Sequence, residues 1–247
     1  MPITMHAFLA IWSNIDPHMK AEWYRWHTEE HMGERVGIPG FLAGRRYELV
    51  DPRLAPAAPD ERRLQHCFMM YEGARLATFR SDPYLERLNN PTAWTRETAP
   101  AFKDFSRGAC ELTTTSGDGY GGSALLMRFE EGGDKDDLSA ATLEGLDHFV
   151  TTLPGLEGIT AAHFGFCRPE ITDIVTAEKA SRTGTDEQLF QSVLLIEAYD
   201  LALLVKHFGA IEANLEAIGM PAKKAKFGYY GLSVLLTERT SEEPNRH

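Results

Sequence analysis

The sequence predicts an α+β fold in which two βαββαβ units stand in tandem and close one barrel. Apolar segments run in the order strand, helix, strand, strand, helix, strand in each half of the 247-residue chain. A Pro-Gly turn closes a helical stretch and opens a strand at residues 38–44, and a second such turn lies at 153–159. A βαββαβ unit is the ferredoxin-like motif, and a half-chain of about 120 residues suits it. We therefore expect two ferredoxin-like units that form an intrachain version of the dimeric-type α/β barrel.

The first half contains four predicted strands and two predicted helices. Asp16 and Pro17 favour the start of the first helix, and Gly37 and Pro39 end it, so this helix is expected from Asp16 to about Val36. The other predicted elements are strands at 6–15, 41–50, 64–72 and 105–115, a helix at 74–89 interrupted at 82–83, and an irregular or helical insertion at 91–104.

The second half repeats this order. Its predicted elements are strands at 123–129, 156–167, 189–199 and 226–237, and helices at 136–153 and 201–218. The chain is then divided into a first unit at 1–116, a linker at 117–122, a second unit at 123–238 and a tail at 239–247. Glycines in the linker match neither dinucleotide-binding nor P-loop spacing, so we expect a flexible connection there.

Charge and cysteine content exclude several classes of protein. A net charge of −11 disfavours binding to nucleic acid or to an anionic membrane surface, since both need a basic face. No apolar run approaches the roughly 20 residues of a membrane span, and no signal-peptide pattern opens the chain. The three cysteines show neither metal-ligand spacing nor a disulfide framework. We expect a reduced, cytoplasmic protein, and both a monomer and a homodimer stay open.

Residues 23–31 concentrate polar and aromatic side chains, whereas the counterpart at 143–149 is bland. Three interpretations compete for this segment. His27, Glu30 and His31 spell H-x-x-E-H, the inverted zinc-protease signature, which would need a third ligand from another element. A structural interpretation has Trp23 and Trp26 packing the helix on the sheet, with the polar residues facing solvent. In the third interpretation, the segment lines a small-molecule pocket.

The pocket interpretation assigns roles to individual residues. His31 would be the general base or acid, and Glu30 or His27 would orient it. Trp23 and Trp26 would stack on a flat substrate.

The strand that follows adds Arg45, Arg46 and Tyr47. Side chains alternate along a strand, so Arg45 and Tyr47 share one face and Arg46 takes the other. An arginine on the pocket side would stabilise developing oxygen charge, and the sequence does not decide which arginine that is.

The run from Trp23 to Tyr47 resembles the helix-to-strand signature of the EthD-like dimeric α/β-barrel proteins. Members typically show W-Y-x-x-E-H, then a proline-glycine-phenylalanine turn and R-R-Y or R-R-F. This chain departs from them because both units are fused and the second lacks the E-H pair. The resemblance implies a ferredoxin-like fold with a cavity between sheet and helices. In the wider superfamily that cavity hosts cofactor-free monooxygenases, polyketide cyclases, dehydratases and isomerases.

Three further residues are candidates for binding substrate. His6 and Trp12 are expected on the same face of the first strand, and His66 lies at the start of the third. Together with these residues, the resemblance implies an enzyme with no metal and no organic cofactor, of isomerase, lyase, cyclase or cofactor-free monooxygenase type, that acts on an aromatic or polyketide-like molecule by proton transfer. The alternative is a non-catalytic or stress-related protein that sequesters a small hydrophobic molecule.

Overall fold

Eight antiparallel strands form a closed barrel at the centre of the molecule, in the part of the chain that the computed structural model describes, residues 5–132, 134–182 and 188–237. The strands are β1 (Ala7–Ile15), β2 (Phe41–Leu49), β3 (Cys67–Gly73), β4 (Phe102–Gly117), β5 (Ser123–Phe129), β6 (Ile159–Cys167), β7 (Ser192–Ala198) and β8 (Lys226–Thr237). Their order around the barrel is β1-β3-β2-β8-β5-β7-β6-β4. The predicted α+β class and closed barrel are confirmed. The predicted tail at 239–247 lies outside the described residues.

Strand order and register repeat between the two halves. The order β4-β1-β3-β2 is followed by β8-β5-β7-β6. Ala43 lies opposite Glu72 in the β2–β3 pair, and Ala161 lies opposite Glu197 in the β6–β7 pair. Two pairs, β2–β8 and β4–β6, join strands of different halves. Every strand of the described barrel therefore has two neighbours.

Helices pack outside the barrel. They are α1 (Lys20–Trp26), a π-helical turn (His27–His31), α2 (Met32–Val36), α3 (Asp82–Asn89), α4 (Ala93–Thr98), α5 (Ala140–Thr152), α6 (Pro169–Thr172), α7 (Ala177–Ser181) and α8 (Leu201–Ala217). None of these described helices combines the length and apolar character that crossing a bilayer requires.

Some predicted boundaries were wrong, for local reasons. The first helix begins at Lys20 and not at Asp16, because Asp16 accepts hydrogen bonds from the backbone N–H groups of His18 and Met19 and closes a turn there. The predicted helix at 74–89 is a 3-10 segment followed by α3, and Pro83 stands in the first turn of α3, where proline fits. β4 is longer than predicted at both ends, so it takes Gly117 from the predicted linker.

Alternation along the strands separates an inner core from two outer layers. Inward side chains of β1 and β3, such as Phe8, Trp12 and Phe68, fill the barrel. Outward side chains, such as Leu9 and Met69, face the helices. The prediction that Arg45 and Tyr47 share one face while Arg46 takes the other is confirmed, and the inner face belongs to Arg45 and Tyr47.

A cluster of buried charged side chains lies inside the barrel. Arg45 is fully buried between Glu72, at 2.5 Å, and Glu197, and it donates to the Tyr47 hydroxyl at 2.9 Å. The Glu197 carboxylate also accepts from the backbone N–H of Gly121 at 2.8 Å. Although burial alone would raise the pKa of Glu197, the Arg45 guanidinium holds that pKa below its usual value. The cluster joins β2 and β3 of one half to β7 of the other.

Replacing Arg45 tests how strongly this cluster holds the barrel. Arg45→Met leaves Glu72 and Glu197 buried without their cation, so we expect a loss of about 3–5 kcal/mol in the free energy of unfolding. Urea unfolding followed by circular dichroism measures it. Arg53→Met is the matched control, because Arg53 is exposed and pairs with Asp51 on the surface, and its stability should not change measurably.

Candidate active site

A small cavity lies between the outer face of the barrel and the first helical segment. Its volume is about 20 Å³, little more than one water molecule needs. The lining residues are Leu9, Ile11, His27, His31, Arg35, Met69, Tyr71, Tyr84, Phe102, Phe105, Arg107, Glu178 and Arg182. Both histidines of the predicted site are therefore brought together with arginines and tyrosines in one enclosed place.

The π-helical turn aligns the three helical residues that line the cavity. In an α-helix, residues four apart drift by about 40° around the axis, so a stripe at every fourth position turns away from the sheet. The backbone N–H of Met32 bonds to the carbonyl of His27, five residues back, which widens this turn. The wider turn offsets the drift, so His27, His31 and Arg35 all face the cavity.

His27 is buried and uses both ring nitrogens. Its Nδ1 lies 3.4 Å from Nη1 of Arg46, and its Nε2 lies 3.4 Å from the Tyr71 hydroxyl. A guanidinium only donates, so Nδ1 is the acceptor and Nε2 carries the proton. Burial, with the nearby charges of Arg46 and Arg35, holds the pKa of His27 well below 6.5. His27 is thus a neutral imidazole whose lone pair is already engaged.

His31 is buried too, but one nitrogen is left unengaged. Only 7% of the residue is exposed, and its Nδ1 has no hydrogen-bond partner among the described residues. The Trp26 ring packs against it, with ring centroids 4.4 Å apart. Burial lowers the pKa of His31 well below 6.5, and the charge of Arg35 adds to that effect. The result is a neutral imidazole beside the cavity.

Arg35 joins the two halves of the chain across the cavity. Its Nη2 forms an ion pair with Glu178 of α7, which belongs to the connection between β6 and β7. Its Nη1 is buried and has no hydrogen-bond partner in the described part of the chain. Arg182 also reaches Glu178, at 3.4 Å, and stacks over the Phe105 ring at 4.3 Å. A segment of the second half therefore closes the cavity of the first.

Glu30 does not orient His31 as the sequence suggested. Its Oε1 accepts a hydrogen bond from the Thr92 hydroxyl at 2.7 Å, so the side chain points toward α4 and away from the cavity. His27 does not bond to His31 either, since their ring centroids are 5.6 Å apart. Arg46 lies on the helix side of the sheet and contacts His27 from behind the cavity, where it also donates to Thr28 at 2.9 Å.

The remaining predicted binding residues lie elsewhere. Trp23 and Trp26 are buried behind the two histidines, with Trp23 stacked on His27 at 4.9 Å, and neither lines the cavity. Arg45, Tyr47 and Trp12 point into the barrel. His6 is exposed because it precedes β1, so the prediction that it lines the site with Trp12 was wrong. His66 lines a separate open hollow at one end of the barrel.

The zinc-protease interpretation finds no geometric support. With Glu30 held by Thr92, the three residues of H-x-x-E-H do not converge. No group of three side chains able to hold a metal ion occurs among the described residues.

Sequence reasoning missed most of the polar lining. Arg35 follows His31 by four positions, so helical periodicity could have suggested it. Tyr71 and Arg107 stand on the helix-facing side of their strands, and alternation could have identified them once the strand bounds were known. Glu178 comes from a distant irregular connection, and no local signal in the sequence points to it.

The corresponding layer of the second half is apolar. Leu146 and Val150, which occupy the places of His31 and Arg35 counted from the Pro-Gly turns, are buried in the second-half core. β7 contributes Leu194 and Ile196 where β3 presents Met69 and Tyr71. The chemical asymmetry seen in the sequence is therefore present in the packing.

Known structures with this fold share little sequence with the chain. The sequence matches no protein-family model and no curated protein. An anthrone oxidase-like protein superposes with a TM-score of 0.58 at 9% identity, over 94% of this chain and 92% of that one. A provisionally assigned monooxygenase from Fusobacterium nucleatum superposes with a TM-score of 0.56 at 10% identity, over 95% of this chain and 95% of that one. A provisionally assigned monooxygenase from Lactobacillus acidophilus superposes with a TM-score of 0.53 at 10% identity, over 94% of this chain and 96% of that one. These likenesses show the ferredoxin-like α/β-barrel fold, and membership of the EthD-like proteins stays a prediction.

The buried histidines make stability depend on pH. Their folded-state pKa values lie below the unfolded value of 6.5, so the unfolded chain binds more protons as pH falls below that value. We expect each histidine to lower the free energy of unfolding by about 1 kcal/mol between about pH 7.5 and pH 5.5. Urea unfolding across this range should show a smaller loss for the double variant His27→Gln/His31→Gln. His148→Gln, at an exposed position of α5, should keep the full dependence. An unchanged slope in the double variant would show that both histidines titrate normally.

Proposed function

We propose that the protein is a small-molecule enzyme that removes a proton from an acidic aromatic or polyketide-like substrate, with His31 as the general base. One observation carries this proposal. Two polar groups without a hydrogen-bond partner among the described residues, Nδ1 of the neutral, buried His31 imidazole and Nη1 of the buried Arg35 guanidinium, belong to residues that line the same small cavity. A base beside a fixed cation is what deprotonation next to a carbonyl or phenol needs.

His31 is a better base than His27. The lone pair of His27 Nδ1 faces the Arg46 guanidinium, and its Nε2–H faces the Tyr71 hydroxyl. Both ring nitrogens of His27 are therefore engaged, and His27 positions the side chains of Tyr71 and Arg46. The Nδ1 of His31 has no hydrogen-bond partner in the described part of the chain, so in the tautomer with the proton on Nε2 its lone pair can accept a proton. In a buried site, the imidazolium that forms is costly, so its stabilisation depends on the substrate anion that forms at the same time.

Arg35 would stabilise that anion. When a C–H beside an aromatic ketone loses its proton, the electron pair moves onto the carbonyl oxygen. Nη1 of Arg35 can donate a charge-assisted hydrogen bond to this oxygen. The Tyr71 hydroxyl lines the same cavity and offers a second donor. Protonation of the substrate anion at another carbon would complete an isomerisation, and loss of a leaving group would complete a lyase or cyclase reaction.

Reaction with dioxygen is the variant that the structural neighbours favour, since their names include an anthrone oxidase-like protein and monooxygenases. After His31 takes the proton, the carbanion transfers electrons to O2. One oxygen atom ends in the new ketone and the other in water, so a CH2 group and O2 give C=O and H2O. The substrate itself supplies the electrons, so the proposal includes no metal or organic cofactor.

We also propose that the chain arose as two tandem ferredoxin-like units, 1–116 and 123–238, joined at 117–122. Matching strand order and matching registers such as Ala43–Glu72 and Ala161–Glu197 support it. In this view the first unit kept the polar residues that line the cavity, and the corresponding positions of the second unit became apolar.

Deuterium exchange and oxygen uptake test the function. The protein is incubated with anthrone and with an anthrone carboxylate, under argon in D2O to follow loss of the methylene protons, and in air to follow O2. We expect catalysed exchange with at least one of them, and a fall in kcat of about 10²- to 10⁴-fold in His31→Gln. Ligand affinity should stay within a few-fold.

His148→Gln is the matched control and should retain full activity, because His148 is an exposed histidine on the corresponding helix of the second half. Binding without catalysed exchange or O2 uptake in the wild type would contradict the enzyme and favour a sequestering protein. Full activity in His31→Gln would exclude His31 as the base.

A further inference from the structure

We propose that the substrate carries a carboxylate next to the reacting oxygen, and that this carboxylate replaces Glu178 on Arg35. This inference rests on the proposed function for the identity of the site. The ligand is then an acid with a carboxylate, and it enters when this carboxylate displaces Glu178 from Arg35.

The cavity is too small for any aromatic ring. A volume of about 20 Å³ holds one water molecule, so part of the wall must move before a substrate enters. Two of the cavity walls belong to well-packed parts of the structure. β1, β3 and β4 belong to the closed barrel, and the segment carrying His27 and His31 is packed on the sheet through buried Trp23 and Trp26.

The third wall is α7, a helix of only five residues in the connection between β6 and β7. It is held to the first half by the ion pair of Glu178 with Arg35, by a hydrogen bond from the backbone N–H of Ala177 to the Asn89 side chain at 3.3 Å, and by packing against α3, α4 and residues 99–101. A five-residue helix outside the sheet opens at lower free energy than a strand of a closed barrel. α7 is therefore the wall that moves.

Moving α7 removes the anion from a buried cation. The side chain of Arg35 is only 4% exposed, and its carboxylate partner comes from α7. A buried guanidinium that loses its partner is strongly unfavourable. A neutral ligand would leave that penalty in place, whereas a ligand with its own carboxylate restores the ion pair. Because a ligand must displace the Glu178 carboxylate from Arg35, the site selects for a ligand that carries its own negative charge.

The guanidinium has room for two ligand oxygens. Nη2 donates to Glu178, and Nη1 is buried with no hydrogen-bond partner among the residues that the structure describes. A carboxylate oxygen on Nη2 would place a neighbouring phenol or ketone oxygen near Nη1, since the two donors are fixed in one planar fork. An aromatic acid with a hydroxyl or ketone beside its carboxylate fits both donors.

The test compares 1-hydroxy-2-naphthoate with 1-hydroxy-2-naphthamide by isothermal titration calorimetry. In the wild type, the carboxylate should bind at least about tenfold more tightly than the amide, since a charged hydrogen-bonded pair is stronger than a neutral one. Glu178→Gln should tighten both ligands by about tenfold and keep their ratio, because neither then has to break the ion pair. Arg35→Gln/Glu178→Gln removes both charges of this ion pair together and should bring the ratio close to one.

Glu170→Gln is the matched control. Glu170 lies on α6 of the same connection, is exposed, and does not line the cavity, so both affinities should stay unchanged. Circular dichroism and thermal unfolding establish that each variant is folded.

Three results would overturn the carboxylate site: equal binding of the two ligands to the wild type, a preference that survives in the double variant, or no binding of either at millimolar concentration. The readout needs no turnover. Loss of the preference in the double variant supports the carboxylate site even where no catalysis is found, so the failure of one proposal is distinguishable from that of the other.

Discussion

Pairing of strands from the two halves is the constraint on which the candidate site depends. β2 pairs with β8 and β4 pairs with β6, so neither half completes its sheet without the other. This closure fixes the β6–β7 connection at the side of the first-half helix. Glu178 can then reach Arg35 across more than 140 positions of sequence. The buried cluster around Arg45 links the halves a second time, inside the barrel.

Exclusion of water gives the site its chemistry. In water, imidazoles titrate near pH 6.5, so part of a histidine population is protonated near neutral pH and cannot accept a proton. Burial beside Arg35 and Arg46 keeps both histidines neutral. The same burial strengthens the field of Arg35 on any oxygen that becomes negative in the cavity. The two halves divide these tasks, because the apolar second half supplies stability and one polar segment, α7, while the first half bears the histidines.

The sequence predicted the framework well and the details of the site partly. Repeated Pro-Gly turns and alternating apolar residues were enough for the succession of strands and helices along the chain, and alternation separated Arg45 from Arg46. His27 and His31 were found because histidines and tryptophans stood together in one short segment. Sequence periodicity could not show the π-helical turn, which depends on packing against the sheet.

Tertiary contacts account for the other differences. Glu30 was paired with His31 on sequence proximity, and the Thr92 hydroxyl competes for it in the folded chain. Glu178 could not be predicted, because its role follows from barrel closure and from no pattern in its own segment. Trp23 and Trp26 looked like stacking surface for a ligand, but the histidines themselves cover them.

The protonation state of His31 is the most direct test of this account. Nitrogen-15 NMR of histidine-labelled protein, titrated from neutral to acidic pH and assigned with His31→Gln, reports whether Nδ1 carries a proton. We expect the His31 imidazole to stay neutral well below pH 6.5, the ordinary midpoint, with Nδ1 unprotonated in the tautomer that the proposed base requires. A His31 that is protonated at neutral pH, or that titrates at its ordinary midpoint, would contradict it.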